Sequence, residues 1–370
     1  MRLRNAGTGS ALQDGVRNLV SRNLAAAVAA LLGLLSVHCG GTDGGVVEAA
    51  PLSTPADVTS SPPASGAPAA STGDAGVVPV NDGGHDGAPP AHDAATWMGA
   101  LDDGVSITSL TLPGTHDSAA RHEPVSGTAK CQDLSIADQL GAGVRYLDLR
   151  CRHYNDTCEL HHGPVYQQLN LDDVLGAVWT FLHAHPTEAL LVSVKEEYTP
   201  ANDTRSFEQT FAAYVQKNAG GWYLGATVPD LGAVRGKVVL VRRFAATTTP
   251  LGLDATHWAD DATFTIDGTA KMRVEDEYQV KDTSAKWSAV EAMLAEAQHG
   301  PATGTLYLSY TSGYLSRLLG VPDVPGVSDA LNPRLQTYFG DTTRRGRFGV
   351  VAMDFVNTAR ASAVLGVNFR

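Results

Sequence analysis

The chain has 370 residues, 43% of them hydrophobic, and a formal net charge of −12. This length and apolar content suffice for one large folded domain or two smaller ones. The acidic balance and the lack of any Lys/Arg-rich run argue against nucleic acid as a partner. The same balance argues against strong electrostatic capture by anionic membranes.

Residues 1–39 have the pattern of an export signal. Four arginines precede an apolar run, Leu24 to Val37, which is too short for a comfortable membrane span. Cys39 follows that run, as in a bacterial lipoprotein, although His38 stands where a small residue is usual. Lipidation of Cys39 and simple cleavage nearby both stay open. Either outcome places the mature protein outside the cytoplasm, secreted or bound to the cell envelope.

Residues 40–95 consist mainly of Gly, Ala, Pro, Ser, Thr and Asp, without Lys or Arg. Such a segment cannot bury enough apolar surface to offset the entropy lost on ordering. We therefore expect a disordered, acidic tether here, followed by a single folded domain over residues 96–370.

Strand-like runs and helical patterns alternate along residues 96–370. The predicted strands are Ser109–Leu112, Val144–Arg150, Leu190–Val194, Val238–Val241, Met272–Val274, Thr305–Tyr310 and Phe348–Met353. The predicted helices are Ser135–Leu140, Leu171–His183, Ser206–Gln216, Ser284–Gln298 and Pro333–Phe339. This alternation predicts an α/β barrel, with an open doubly wound sheet as the alternative.

Charged and polar side chains gather at the ends of these runs and of a short extended piece before His162. They are His116 and Asp117, Asp148 and Arg150, His162, Lys195 with Glu196 and Glu197, Arg242 with Arg243, Asp276 with Tyr278, and Asp354. Catalytic groups of a barrel sit at the carboxyl ends of its strands, so we expect one shared rim. Two histidines, two carboxylates and an arginine there suit general acid–base attack on a phosphate ester.

These residues resemble the motifs of the bacterial phosphatidylinositol-specific phospholipase C (X-domain) family over residues 100–360. The motifs are Pro-Gly-Thr-His-Asp-Ser, Tyr-Leu-Asp-Leu-Arg, His-His-Gly-Pro, Val-Ser-Val-Lys-Glu-Glu-Tyr, Gly236 to Arg243, Val274 to Tyr278, and Met353-Asp354-Phe355. The resemblance implies an irregular TIM-type (β/α) barrel as a single catalytic domain. It also implies a phosphatidylinositol diacylglycerol-lyase, which cleaves phosphatidylinositol to diacylglycerol and inositol 1,2-cyclic phosphate.

The resemblance assigns catalytic roles to five residues. His116 is the expected general base, and Asp354 is expected to fix its tautomer. His162 is the expected general acid, with Asp117 as its partner. Arg150 is expected to neutralise the phosphate oxygens with its planar set of donors.

The resemblance also assigns a substrate-binding set. Lys195, Arg243 and Asp276 match positions that bind inositol hydroxyls, and Glu197 is expected to support them. Tyr278 matches a ring that stacks on the apolar face of the inositol. Within the pairs His161/His162 and Arg242/Arg243, only the resemblance selects the second residue.

No metal or other cofactor is expected. Calcium-dependent relatives have a metal-binding carboxylate where this chain has Arg150, and a guanidinium and a cation would compete for the same space. Asp148 is then a candidate for orienting Arg150. The expected partners are phosphatidylinositol or glycosylphosphatidylinositol in membranes, and we expect a monomer.

Two other functions stay open. One is a metal-dependent glycerophosphodiester phosphodiesterase, although this chain has His116-Asp117 and Asp148-Leu149-Arg150 instead of that family's His-Arg and Glu-x-Asp arrangement. The other is an inactive module that binds inositol lipids, which would not need two imidazoles with carboxylate partners.

Three further features lead to structural expectations. We prefer a disulfide between Cys151 and Cys158, which flank a plausible hairpin turn, with Cys131 left over. Residues 313–322 are apolar enough either to contact a lipid surface or to form a packed helix. Trp258 is interpreted as a core or loop tryptophan, with contact to lipid at the rim as the alternative.

Overall fold

The computed structural model describes residues 92–301 and 303–370. The expected export signal, and the expected tether up to residue 91, lie outside the described residues. Among those described, His92 stacks on Phe369, and the carbonyls of Ala94 and Ala95 accept hydrogen bonds from Arg145. Contacts of the folded domain therefore begin before residue 96.

The described residues form an α/β fold with fifteen strands and seven α-helices. The strands are β1 Thr111–Thr115, β2 Tyr146–Tyr154, β3 Thr157–His162, β4 Val165–Asn170, β5 Leu190–Glu196, β6 Trp222–Tyr223, β7 Val238–Arg243, β8 Leu253–Asp254, β9 Ala262–Ile266, β10 Lys271–Asp276, β11 Gln279–Val280, β12 Thr305–Tyr310, β13 Tyr314–Ser316, β14 Pro322–Asp323 and β15 Gly349–Met353. The helices are α1 Ile136–Gly141, α2 Leu171–Ala184, α3 Phe207–Lys217, α4 Leu231–Val234, α5 Thr283–His299, α6 Val324–Gly340 and α7 Thr358–Leu365.

Eight parallel strands form the curled central sheet in the order β6-β7-β5-β2-β1-β15-β12-β10, and β9 pairs antiparallel with β10. The hairpin strands β3 and β4 extend β2 away from this path. The sheet is a TIM-type barrel, as predicted, and it is irregular because a β-meander and short strands interrupt the strand–helix repeat.

Period-two alternation sorts the side chains of the central strands. Along β5, Leu190, Val192 and Val194 belong to the core between sheet and helices, whereas Leu191 packs in the barrel interior. Ser193 and Lys195 share the face of Leu191. These two polar residues near the carboxyl end of β5 therefore point inward, above an apolar base.

Strand register aligns the inward-pointing residues in rows. Arg150 on β2 pairs with Lys195 on β5, and Lys195 pairs with Arg243 on β7. On the other side of β2, Thr115 of β1 pairs with Met353 of β15, so the residues that follow them are neighbours. The expected rim of charged groups is thus a direct consequence of the parallel register.

The predicted elements match the structure, with differences at the ends and in the C-terminal third. The predicted helix Pro333–Phe339 is the second half of α6, which begins at Val324. Proline commonly marks a first helical turn, and here Pro333 lies inside the helix. The short helices α4 and α7 were not predicted.

The alternative of a packed helix over residues 313–322 is wrong. The segment contains β13, followed by a 3₁₀ turn at Leu318–Gly320 that projects into solvent. Cys151 and Cys158 form the preferred disulfide between β2 and β3, and Cys131 is a buried free thiol. Among the described residues, no helix combines the length and apolar character needed to cross a membrane.

Candidate active site

The predicted base and its carboxylate meet where β1 and β15 end side by side. His116 follows β1 and Asp354 follows β15, and His116 Nδ1 lies 2.8 Å from Asp354 Oδ1. Both side chains are buried. The buried Gln132 side chain donates to the carbonyls of His116 (2.9 Å) and Met353 (2.8 Å), which fixes both strand ends.

The hydrogen bond from Arg150 determines the tautomer of His116. Arg150 Nη2 donates to His116 Nε2 at 2.7 Å, so Nε2 carries the lone pair and Nδ1 carries the proton given to Asp354. Burial alone would lower the pKa of His116, but the carboxylate of Asp354 raises it above its ordinary value. The imidazole thus presents a basic nitrogen toward the guanidinium.

Asp148 is the buried anion that orients the two arginines of the site. Its carboxylate lies 3.3 Å from Arg150 Nη2 and 3.4 Å from Arg243 Nη1, and Ser193 Oγ donates to it at 3.4 Å. Burial opposes ionisation, but Arg150 and Arg243 hold the pKa of Asp148 below its usual value. Asp148 is therefore ionised and is the counter-charge that places Arg150.

The contacts of His162 differ in part from the expected ones. Its Nδ1 donates to the carbonyl of Ala129 at 2.5 Å, while Asp117 Oδ2 lies 3.8 Å away. The loop that carries Ala129 is held by Glu123, whose carboxylate accepts the amides of Gly127, Ala129 and Lys130. Asp117 is thus a neighbouring charge and not the hydrogen-bond acceptor of His162, because the carbonyl of Ala129 occupies that position.

Asp117 and His162 have shifted pKa values in opposite directions. Burial raises the pKa of Asp117 to about 7, although Arg150 counteracts it. Burial and then the charge of Arg150 lower the pKa of His162 to about 4. Asp117 therefore binds a proton more tightly than His162 does in the free protein.

Lys195 and Glu197 form an ion pair at the mouth of the site. Lys195 Nζ lies 2.7 Å from Glu197 Oε2, and Glu197 Oε1 accepts the amide of Gly163, next to His162, at 3.2 Å. Burial would raise the pKa of Glu197, but Lys195 and Arg150 lower it to about 2. The ion pair holds one positive and one negative charge at fixed positions in the site.

Trp258 joins two of the predicted binding residues and was not predicted as a site residue. The guanidinium carbon of Arg243 stands 3.8 Å from the centre of the indole ring, and Trp258 Nε1 donates to Asp276 Oδ2 at 2.9 Å. Trp258 lies in a loop and packs against the core, as interpreted from the sequence, and it also contacts these two candidate binding residues. No local motif marks it, because its partners come from other strands.

Tyr278 lies at the edge of the site and is half-buried. Its hydroxyl donates to Asp260 at 2.7 Å, and its ring faces Tyr314 at a centroid distance of 6.2 Å. These contacts hold the ring between the loop at residue 260 and β13.

Arg242 and His161, which precede Arg243 and His162 in the sequence, point away from the site. Arg242 pairs with Asp254 at 2.7 Å and donates to the carbonyl of Phe244. His161 packs against Tyr166 and Tyr198. Alternation along the strands therefore leaves Arg243 and His162 as the residues that face the cluster.

Comparison with known proteins places this architecture in a family. The sequence model for "Phosphatidylinositol-specific phospholipase C, X domain" matches residues 111–244. The 1-phosphatidylinositol phosphodiesterase of Staphylococcus aureus strain Newman is 34% identical over 233 residues, 58% of this chain and 74% of that protein. The 1-phosphatidylinositol phosphodiesterase of Listeria monocytogenes is 26% identical over 273 residues, 70% and 80% of the two chains.

Solved structures agree with that relationship. A phosphatidylinositol-specific phospholipase C from Staphylococcus aureus superposes with a TM-score of 0.67 at 27% identity, covering 74% of this chain and 98% of that one. The enzyme from Listeria monocytogenes, at 22% identity and a TM-score of 0.61, covers 75% and 99% and shares the fold. The chain belongs to the bacterial phosphatidylinositol-specific phospholipase C family.

Proposed function

We propose that this chain cleaves phosphatidylinositol to diacylglycerol and inositol 1,2-cyclic phosphate without a metal ion. The observation that carries the proposal is the hydrogen-bonded series Asp354–His116–Arg150, with His162 beside it. The series supplies a base with a defined tautomer and a fixed cation, which together suit attack on a phosphodiester.

The first half of the reaction uses His116 and Arg150. The inositol 2-hydroxyl gives its proton to His116 Nε2 while its oxygen bonds to phosphorus. Asp354 stabilises the imidazolium that forms. Arg150, now paired with His116 Nε2, transfers its hydrogen bond to the non-bridging phosphate oxygens as charge develops on them.

The second half breaks the bond between phosphorus and the glycerol oxygen, which takes a proton from His162. In the free protein Asp117 binds a proton more tightly than His162, because burial and then the charge of Arg150 disfavour an imidazolium. A bound phosphate anion offsets that charge, so the proton moves to His162 and Asp117 becomes its counter-charge. Substrate binding thus converts His162 into the general acid, because the proton shared with Asp117 moves onto the imidazole.

Recognition of the inositol ring rests on fixed donors and acceptors. Lys195 and Arg243 donate to hydroxyls, and Asp276 and Glu197 accept from them or hold the donors. Tyr278 provides the aromatic face for the apolar side of the ring. The same head group occurs in glycosylphosphatidylinositol, which we propose as a second substrate for a monomeric enzyme.

Metal independence follows from Arg150. Its guanidinium occupies the site between Asp148, Asp117 and His116 and supplies the positive charge that a divalent cation would otherwise bring. We propose that no cation takes part in the reaction.

We propose that the enzyme acts outside the cytoplasm, either secreted or attached to the cell envelope through Cys39. The signal-like segment at residues 1–39 supports export. The Cys151–Cys158 disulfide supports it independently, since such bonds persist in oxidising compartments.

We further propose that the turn after β13 touches the lipid surface. Leu318 and Leu319 are 86% and 61% exposed, far more than leucines of a packed core. The turn follows the carboxyl end of β12, so it lies on the rim that carries the catalytic residues. An acidic protein that cannot rely on charge for membrane contact would gain it from apolar burial.

The first prediction concerns product and metal. Full-length protein in EDTA, incubated with phosphatidylinositol and followed by phosphorus NMR, should produce inositol 1,2-cyclic phosphate. Arg150→Lys should lower kcat about 10²–10³-fold, because one fixed stabiliser of the transition state is lost. The matched control is Arg152→Lys on the same strand, whose side chain donates to the carbonyl of Thr199 and should leave kcat unchanged.

Two results would contradict the proposal. Cleavage that EDTA abolishes and added Ca²⁺ restores would support a metal-dependent phosphodiesterase. No cleavage in either condition would support a binding module without activity.

The second prediction concerns Trp258. Trp258→Phe keeps an aromatic face for Arg243 but removes the donor to Asp276. With a short-chain, water-soluble phosphatidylinositol, KM should rise about tenfold, as expected for one lost hydrogen bond to a charged group, while kcat stays within about twofold. Trp287→Phe, which alters a half-buried indole packed on Tyr338, is the control. A fall in kcat at unchanged KM would show that Trp258 does not act through substrate binding.

The third prediction concerns the exposed turn. The double variant Leu318→Ala, Leu319→Ala should lower partitioning onto vesicles of phosphatidylcholine and phosphatidylinositol by about tenfold or more, because each leucine contributes apolar area. Hydrolysis of the water-soluble substrate should not change. Unchanged sedimentation with vesicles would remove the turn from the interface.

A further inference from the structure

One buried thiol beside the catalytic residues has no part in the proposed reaction. Cys131 is fully buried, and its Sγ lies 3.7 Å from His162 Nδ1. The other two cysteines of the described domain, Cys151 and Cys158, are joined in the disulfide. Cys131 is therefore the free thiol of this part of the chain.

The carboxylate of Asp117 is a second and independent observation at the same place. Its side chain is 1% exposed, and neither oxygen accepts a hydrogen bond from any residue that the structure describes. Buried carboxylates are normally hydrogen-bonded or bound to a cation, since an uncompensated one is costly. Arg150 approaches to 3.8 Å, but its hydrogen bonds go to Asp148 and His116.

Three donor atoms of different chemistry converge at this point. Ligand atoms of Asp117, Cys131 and His162 all lie within 4.8 Å of one another. The separation is 3.7 Å between the sulfur and the imidazole Nδ1, and 3.8 Å between Nδ1 and the carboxylate. Tetrahedral zinc with bonds of about 2.0–2.3 Å needs ligand atoms roughly 3.3–3.7 Å apart.

We propose that Cys131, His162 and Asp117 form an inhibitory Zn²⁺ site inside an enzyme whose catalysis needs no metal. The inference rests on the proposed function for its consequence, inhibition, but the binding itself does not. Thiolate, imidazole and carboxylate are the ligands that zinc takes in proteins, and the fourth position is left for water or a phosphate oxygen.

Binding requires three changes in protonation. Any proton on the Asp117 carboxyl is released to solvent as the oxygen–zinc bond forms. The Cys131 thiol loses its proton to solvent as the sulfur–zinc bond forms. The proton on His162 Nδ1 moves to Nε2, so the hydrogen bond to the Ala129 carbonyl is exchanged for a nitrogen–zinc bond. An imidazole held in this way cannot become the imidazolium that protonates the glycerol oxygen, and Asp117 can no longer hold a proton for it.

A second arrangement shares the same sulfur but fits less well. Atoms of His116 and Asp354 also lie within 4.8 Å of Cys131. His116 Nδ1, however, is engaged with Asp354 at 2.8 Å, and its Nε2 accepts from Arg150. The set of Asp117, Cys131 and His162 is favoured because zinc binding there breaks no hydrogen bond of the Asp117 carboxylate.

The test titrates ZnCl₂ into the full-length enzyme acting on a water-soluble phosphatidylinositol in a non-chelating buffer. We expect inhibition that EDTA reverses. Cys131→Ser should keep its basal activity and need about tenfold more zinc, or beyond, for half-inhibition, since one ligand is lost. Cys39→Ser, which changes the cysteine outside the described residues, should be inhibited like the unaltered chain. Equal zinc sensitivity of the Cys131→Ser variant and the unaltered chain would overturn the proposal.

Cobalt provides a readout that does not depend on activity. Co²⁺ added to the full-length protein should produce a near-ultraviolet thiolate-to-cobalt absorption band, absent in Cys131→Ser and weaker in His162→Gln at the same concentration. Absence of the band in the unaltered chain would overturn the site even if Cys131→Ser failed to fold. A normal cobalt band in a protein that cleaves no phosphatidylinositol would instead contradict the proposed function and leave the site standing.

Discussion

The hydrogen bond between His116 and Asp354 is the interaction on which the proposed chemistry depends. It joins residues 238 positions apart, and it forms because β1 and β15 are paired in parallel with Thr115 opposite Met353. With the proton held on Nδ1, Nε2 is left as the acceptor that Arg150 reaches. A change of register by one residue would turn both side chains to the other face of the sheet and remove the base.

The charged groups of the site are mostly buried, so each needs a nearby opposite charge. Asp148 compensates Arg150 and Arg243, and Lys195 compensates Glu197, so all five of these groups reach an opposite charge within 3.4 Å. Asp117 has no such bond, and burial accordingly raises its pKa to about 7. The residue with the weakest compensation is the one that can exchange a proton, and it is also the one that a cation would stabilise most.

Much of the site was predictable because it depends on local patterns. Strand-like runs ending in polar residues predicted the rim, whereas the choice of Arg243 over Arg242 rested on the family resemblance. Trp258, Gln132 and the Ala129 carbonyl were not predictable in this way. Their partners Asp276, Met353 and His162 lie on other segments, and only tertiary packing brings them together. The start of α6 was not predicted, because proline is common in the first turn of a helix and Pro333 therefore favoured a start at that residue.

The tautomer of His116 tests its proposed role as general base most directly. Two-dimensional ¹H–¹⁵N NMR of the histidine side chains, recorded above the raised pKa of His116 and assigned with His116→Gln, reports which ring nitrogen carries the proton. We predict a neutral ring protonated at Nδ1, and a change of that signal in Asp354→Asn, which removes the carboxylate acceptor. A ring protonated at Nε2, or a signal indifferent to Asp354→Asn, would contradict it.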